Sequence, residues 1–321
     1  MGKHSKNFGI ATKGSICLKL AQQQYTAGDV VTGSITVNVS EIIRCDALVL
    51  KVSGKERMAW KEAVQQHRGD GHERTVFETH GQHKAFFEHT LVVRAVPQAF
   101  VPGNYTYTFE FRLPDELPAT FAIDSFPDES IKNLMARIEY KLKATLEMNG
   151  FFASDFKSSC PVMMHAQSSA SQLEPSKQTV AKDIRLLCCW KKGTCELSGA
   201  TDKSVYKPSD TARIQCSLDN RSRVAVTQVR AVLWQDLEIQ LGDDKTLRCS
   251  RQISRHAHGG VLAGASQQQT YTMPLARTPK MRPLQASTEG KSIKCSYRIV
   301  VECDFAWCRD LRVQLPISIL G

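Results

Sequence analysis

Histidine and cysteine are the residues of this 321-residue chain with the most chemistry to offer. Five of the nine histidines cluster at His67, His72, His80, His83 and His89. Imidazole is a common zinc ligand. Only His80-x-x-His83 has ligand-like spacing, however, and no cysteine stands nearby to complete a tetrahedral set. The cluster therefore reads as a polar, exposed loop and not as a metal centre. Cys188-Cys189-x5-Cys195 contains no Cys-x-x-Cys and reads as ordinary strand cysteines, with palmitoylation or a labile metal as the alternatives. There is no Gly-x-x-x-x-Gly-Lys-Ser/Thr phosphate loop, no His-Glu-x-x-His and no Gly-x-Ser-x-Gly elbow. These absences predict a protein with no catalytic residues, no metal and no cofactor.

Two segments remain as candidates. Lys61–Thr75 is long and polar, carries Gly69 and Gly71, and joins the strand patterns Leu48–Val52 and Phe77–Val93. Loops of this length are usually functional or disordered. Its candidate binding residues are Lys61, Gln65, His67, Arg68, His72 and Arg74. At the N-terminus, Gly2 follows Met1, with Lys3 and Lys6 beside it. Myristoylation usually wants Ser or Thr at the sixth position, whereas here that position is Lys6 and the serine is Ser5. Gly2 is a candidate lipidation site on an imperfect motif.

The elements that position these residues are written twice. Tyr25-Thr-Ala-Gly-Asp29 precedes the alternating run Val31–Ser40, and Tyr206-Lys-Pro-Ser-Asp210 precedes Thr211–Leu218. Each reads as strand, turn, strand. Copies one domain apart in sequence imply two related domains and not a solenoid. A period of two dominates: Tyr105, Tyr107, Phe109 and Phe111 alternate with polar residues, as do Ile138–Leu146, Ile293–Cys303 and Leu311–Ile319. Turn residues punctuate these runs, which predicts antiparallel β-sandwiches. The one tempting helix is Asp128–Lys143; its first half is expected as a short helix or loop, and Ile138 onward as a strand. The Ser-rich stretch 166–182 reads as a linker. The expected organisation is a flexible 1–14, a first domain 15–165, the linker 166–182 and a second domain 183–321, with no tail after Gly321.

Composition sharpens the picture. The net charge of +10 is uneven: residues 1–165 hold 19 Lys and Arg against 18 Asp and Glu, and residues 166–321 hold 23 against 14. A basic second domain favours anionic partners, lipid among them. Nucleic acid is disfavoured, because few aromatic residues are interleaved with the basic ones. No secretory signal or membrane-length apolar run is present, so the eleven cysteines are expected as free thiols in a reducing compartment.

At this level the chain resembles a known family. Tyr25-x-x-Gly-Asp-x-Val-x-Gly33-x-Ile35, Phe100-Val-Pro-Gly103-Asn-Tyr105, Leu117-Pro118-Ala-Thr120-Phe121 and Ile138-x-Tyr140-x-Leu resemble an arrestin N-domain. Cys188-Cys189-Trp190…Gly193-x-Cys195, Asp202-x-x-x-Tyr206 and Tyr297-x-Ile…Leu-Pro316-Ile resemble the C-domain. The nearest subtype is the α-arrestin, or arrestin-domain-containing, group. The resemblance implies an all-β fold of two immunoglobulin-like β-sandwiches in tandem. It also implies a non-enzymatic, cytoplasmic adaptor, peripheral at the plasma membrane or endosomes. Such an adaptor binds a membrane cargo protein, a receptor or transporter, and links it to endocytic sorting or ubiquitination machinery. By position Lys61–Thr75 corresponds to the loop that arrestins insert toward cargo. All twelve prolines are isolated, so Pro-Pro-x-Tyr is absent, and a ubiquitin ligase or coat would be reached through an intermediary. The rival reading is a retromer-like coat subunit of endosomal transport.

Overall fold

Alternation of apolar and polar residues decides the architecture. The computed structural model describes residues 8–11, 13–67, 73–96, 99–124, 131–148, 156–167, 174–186, 189–242, 245–276 and 284–321. The chain divides into two units: Met1–His165 with Gly290–Ile293, and Ala166–Glu289 with Lys294–Gly321. All described regular structure is strand.

The first unit runs β1 (Phe8–Ala11), β2 (Gly14–Leu20), β3 (Gln24–Tyr25), β4 (Val30–Val39), β5 (Ala47–His67), β6 (Glu73–Ala95), β7 (Gly103–Arg112), β8 (Phe121–Ile123), β9 (Ile131–Glu147) and β10 (Lys157–Met164). One sheet has the order β1-β2-β4-β7; the other has the order β3-β10-β9-β5-β6, with β8 also on β9. The second unit repeats this strand for strand: β11 (Lys177–Leu186), β12 (Trp190–Thr201), β13 (Val205–Tyr206), β14 (Thr211–Ser222), β15 (Val226–Leu241), β16 (Lys245–His258), β17 (Ser266–Pro274), β18 (Thr288–Glu289), β19 (Ile293–Phe305) and β20 (Leu311–Ile319). Its sheets are β11-β12-β14-β17 and β13-β20-β19-β15-β16, with β18 on β19. Every strand therefore has a counterpart ten strands later.

Both cores lie between the two sheets of each sandwich. Ile138, Tyr140, Leu142 and Leu146 of β9 face inward, as do Ile16, Leu18, Val31 and Ile35 of β2 and β4. In the second unit Tyr297, Ile299, Val301 and Cys303 do the same opposite Leu197, Ile214 and Cys216. Each central strand carries one tyrosine whose hydroxyl is tied to a loop carbonyl. Tyr140 Oη donates to Pro118 O at 2.5 Å. Tyr297 Oη donates to Gln285 O at 2.9 Å and accepts from Gln235 Nε2 at 2.7 Å. Burial pushes both phenols well above their ordinary range.

The doubled Tyr…Asp motif is a corner and not a hairpin. β3 pairs parallel with β10 in one sheet, while β4 pairs with β2 in the other. The turn between them is where the chain changes layer, so its backbone groups have no ladder to join. Asp29 supplies the partners. Its Oδ2 accepts from Thr26 N–H at 2.7 Å, and its carbonyl accepts from Leu113 N–H at 2.9 Å. Gly28, at φ +82°, donates to Pro114 O at 2.8 Å. Asp210 acts likewise: Oδ2 accepts from Lys207 N–H at 3.0 Å, and its carbonyl from Leu275 N–H at 2.8 Å. The two motif tyrosines, Tyr25 and Tyr206, are buried beside these corners.

Three boundaries differ from the sequence reading. The 1–14 segment expected as flexible contains β1, paired antiparallel with β2 from Phe8↔Cys17 to Ala11↔Gly14. The linker expected over 166–182 ends early, because β11 starts at Lys177 and pairs with β12. Ile131–Ile138 is neither helix nor loop but the first half of β9. There Asn133 takes a left-handed conformation, φ 54°, where the register with β5 shifts. That bulge breaks the alternation that would have marked a strand.

Four late residues, Gly290–Ile293, belong to the first unit. Ser292 N–H donates to Glu56 Oε2 at 2.9 Å. Glu56 is fully buried, and a Cβ on Gly290 would fall 2.0 Å from its Oε1. Only glycine fits that approach.

Two predictions follow from the corners and the tyrosines. Asp210→Ala should cost about 1 kcal/mol in urea unfolding at neutral pH. The hydrogen bond from Lys203 holds the Asp210 carboxyl below its ordinary 3.8, so its contribution is present above that value and is lost as pH falls through the lowered one. The gap between wild type and variant should therefore close in acid; a gap that persists there would contradict the assignment. Tyr297→Phe should cost about 1–3 kcal/mol, because it strips a partner from the buried Gln235 amide.

Candidate functional site

The longest strands carry the candidate binding residues. β5 and β6 pair without interruption from Ala47↔Ala95 to His67↔Glu73, through register shifts at Leu48/Val49 and Gly54/Lys55. On its other edge β5 pairs with β9 only as far as Glu62↔Ile131. Beyond that point, among the described residues, Ala63–His67 and Glu73–Phe77 pair only with each other. Lys61–Thr75 is therefore no long loop: Lys61–His67 and Glu73–Thr75 are strand, and the sheet extends past its neighbour as a two-stranded arm. Its polar composition hid this, since both faces of an arm can meet solvent and no apolar alternation is required.

Strand pairing sorts the six candidates by face, because directly opposed residues share a side and neighbours along a strand do not. Lys61 opposes Thr79, Ala63 opposes Phe77, and Gln65 opposes Thr75. Lys132 of β9 opposes Lys61 from the other edge and lies 4.3 Å over the Phe77 ring. Lys61, Gln65, Phe77 and Lys132 thus form one face, with Phe77 39 % exposed. Arg74 opposes Gln66 on the other face and does not join them. His67 pairs with Glu73 through the backbone; Arg68 and His72 lie outside the described residues, as does Gly2. The shared face can offer an aromatic ring with the Lys132 ammonium over it and Lys61 on the same side. Sequence reasoning missed Phe77 and Lys132. An isolated aromatic in a polar stretch was the only signal, and its cation comes from a strand remote in sequence.

His67 sits on β5, and His80, His83 and His89 sit on β6, not in a loop. His80 opposes Trp60 and stacks on it, ring centroids 5.3 Å apart. His83, three residues on, points to the opposite side of the strand, so the pair cannot close on one ion. Among the described residues no three His, Cys, Asp or Glu side chains are placed to hold a metal. None of the ten described cysteines forms a disulfide. Burial pushes the Cys195 and Cys216 thiols up to about 11 and the Cys295 thiol to about 12, so they stay protonated and behave as small apolar core groups.

Comparison with known proteins agrees with this geometry. Residues 15–169 match the family described as "Arrestin (or S-antigen), N-terminal domain", and residues 191–321 match the corresponding C-terminal domain. Arrestin domain-containing protein A of Dictyostelium discoideum is 27% identical over 321 residues, covering 97% of this chain and 52% of that protein. Arrestin domain-containing protein 4 of Homo sapiens is 21% identical over 303 residues, covering 92% of this chain and 68% of that protein. A Schizosaccharomyces pombe protein assigned by name as an arrestin-related trafficking adapter is 24% identical over 172 residues, covering 45% of this chain and 24% of its own. The chain thus spans about half the length of the Dictyostelium relative. No described helix is long and apolar enough to cross a membrane. With both sandwiches built on one strand plan and matched in order by the two domain families, the chain belongs to the arrestin family, as a member of the arrestin-domain-containing, or α-arrestin, type.

Proposed function

We propose that this chain is a cytoplasmic adaptor that binds a membrane cargo protein, a receptor or transporter, through the arm formed by β5 and β6. The observation that carries this reading is the arm's shared face, where Lys132 lies over the partly exposed ring of Phe77 and Lys61 stands on the same side. An aromatic ring capped by one ammonium, with a second lysine on the same face, suits a cargo segment that presents acidic side chains beside an apolar one. Arg74 and the residues of the other face serve as a rim. Coupling to ubiquitination or endocytic sorting machinery through an intermediary protein is part of this reading. The basic second unit holds the adaptor near anionic lipid at the plasma membrane or endosomes. The arrestin-related adapter from Schizosaccharomyces pombe supports a trafficking role.

Glu62 and Glu78 stand directly opposite each other, so an Asn-Gly turn joining them removes the arm and keeps the register. In cells, proximity labelling and co-precipitation with this truncated chain should lose the membrane neighbours captured by the intact one. Phe77→Ala should weaken capture by at least about 1 kcal/mol while moving the unfolding midpoint little. Unchanged capture by the truncated chain would sink the reading. Isolation of the chain in a constant stoichiometric complex would favour a coat subunit instead.

Gly2 is proposed as a lipidation site that adds a weak membrane anchor to the basic surface. Intact-mass measurement of the N-terminal peptide from cells should show a myristoyl adduct, and an acetylated or bare N-terminus would exclude it.

A further inference from the structure

One side of β11 pairs with β12, from Lys177↔Ala200 to Asp183↔Thr194 and on past a bulge. No described strand pairs with its other side. The phase of the ladder is fixed at its start, where Thr201 N–H donates to Ser176 O at 2.9 Å. Bonded positions alternate along an antiparallel pair. Gln178, Val180 and Lys182 therefore turn their N–H and C=O groups toward β12, while Lys177, Thr179 and Ala181 turn theirs away. Among the described residues those outward backbone groups have no hydrogen-bond partner. The strand contains no proline, and its one irregularity lies at Asp183/Arg185. An edge of this kind is a template for another extended chain.

Side chains make the edge selective. Val180 opposes Leu197 and Lys182 opposes Cys195. Leu197 and Cys195 are buried, so Val180 and Lys182 lie on the side of β11 that looks toward the other sheet. Gln314 N–H of β20 donates to Gln178 Oε1 and bridges the two strands at one point. Beyond that bridge lies a cavity of about 520 Å³, lined by Val180 and Lys182 and by Arg309, Asp310 and Arg312 from the start of β20 and the turn before it. Asp310 and Arg312 pair at 3.3 Å, and Arg312 also pairs with Glu302 at 3.0 Å. Asp183, the one carboxylate of β11, is held by Lys191 at 2.8 Å. Among the described residues Lys182 and Arg309 have no ion-pair partner, which leaves two uncompensated cations at the cavity.

We propose that β11 accepts an extended peptide of a partner protein as an added strand, with an acidic side chain seated between Lys182 and Arg309 and an apolar one, two residues away, against Val180. Residues opposed across two strands share a face, so the spacing in the peptide copies the spacing of Val180 and Lys182. Backbone bonds to Lys177, Thr179 and Ala181 hold an extended chain of any sequence, and the cavity chooses among sequences by charge. A second copy of β11 fits poorly: Lys177, Lys182 and Arg185 would meet their own like charges, and Asp183 is already engaged. The inference goes beyond the cargo reading, because neither the arm nor its lysines take part.

The test uses the full chain and short fluorescent peptides that alternate threonine with valine, one valine being replaced in turn by glutamate, glutamine or lysine. Fluorescence anisotropy should show saturable binding of the glutamate peptide, about fivefold weaker binding with glutamine and the weakest with lysine. Lys182→Gln with Arg309→Gln should erase the preference for glutamate and keep the affinity for the glutamine peptide. Amide exchange at Thr179 and Ala181 should slow in the complex, because their N–H groups become bonded. Methylating the peptide amides that face β11 should abolish binding with the protein left untouched. Ala181→Pro should do the same from the protein side, since the open side of an edge strand tolerates proline. No binding of the glutamate peptide, equal binding of all three, a glutamate preference that survives the double variant, or binding that survives amide methylation would overturn the proposal. So would dimerisation of the chain that Ala181→Pro abolishes, which would give the edge to a second copy. The chain without the arm should bind the peptide as the intact one does, and Ala181→Pro should still capture cargo, so either reading can fail while the other stands.

Discussion

Each sandwich depends on a carboxylate at the corner where the chain leaves one sheet and enters the other. A turn between layers has no neighbouring strand, so its N–H and C=O groups need other partners. Asp29 satisfies Thr26 through its side chain and Leu113 through its carbonyl. The same residue thereby fastens the end of β7, so the two sheets are set against each other at one point. Asp210 repeats the arrangement with Lys207 and Leu275. The buried tyrosine beside each corner fills the space that the change of layer opens. Glycine before the aspartate is needed only in the first copy, where φ is +82°; the second copy uses Ser209.

What the sequence disclosed and what it hid follow from burial. β7, the second half of β9, β19 and β20 each have one inward face, and their alternation announces them. The start of β6, Glu73–Val76, lies on an open edge, so nothing in its residue types demanded a strand; its pairing with β5 is backbone chemistry that side chains do not record. Gly69 and Gly71 then drew the reading toward a long loop. Asn133 hid the start of β9 by shifting the register at a single residue. β11 is an edge strand with polar side chains and blended into the Ser-rich stretch before it. Of the candidate site, the region was legible and the face was not. Lys61 and Gln65 are four residues apart, but the partners that give them meaning, Phe77 and Lys132, come from two other strands.

The two copies have diverged where they bury polar groups. The second unit places the neutral Gln235 against Tyr297, with the amide donating to the phenol. The first unit places the carboxylate of Glu56 near Tyr140, where it helps to raise the phenol. A buried amide settles with one good partner, whereas a buried carboxylate needs donors on both oxygens to offset its lost hydration. Ser292 N–H supplies Oε2, and Oε1 has no hydrogen-bond donor among the described residues.

That arrangement bears on the order in which the chain matures. Gly290–Ile293 belongs to the first unit but is synthesised after most of the second. On the ribosome, residues 1–165 emerge and collapse well before their last four companions exist, a lag of seconds or more at ordinary elongation rates. Until then Glu56 lacks the Ser292 N–H from which its Oε2 accepts. The nascent first unit is thus a provisional structure, complete in strand pairing yet unfinished at one carboxylate until Gly290–Ile293 have been made.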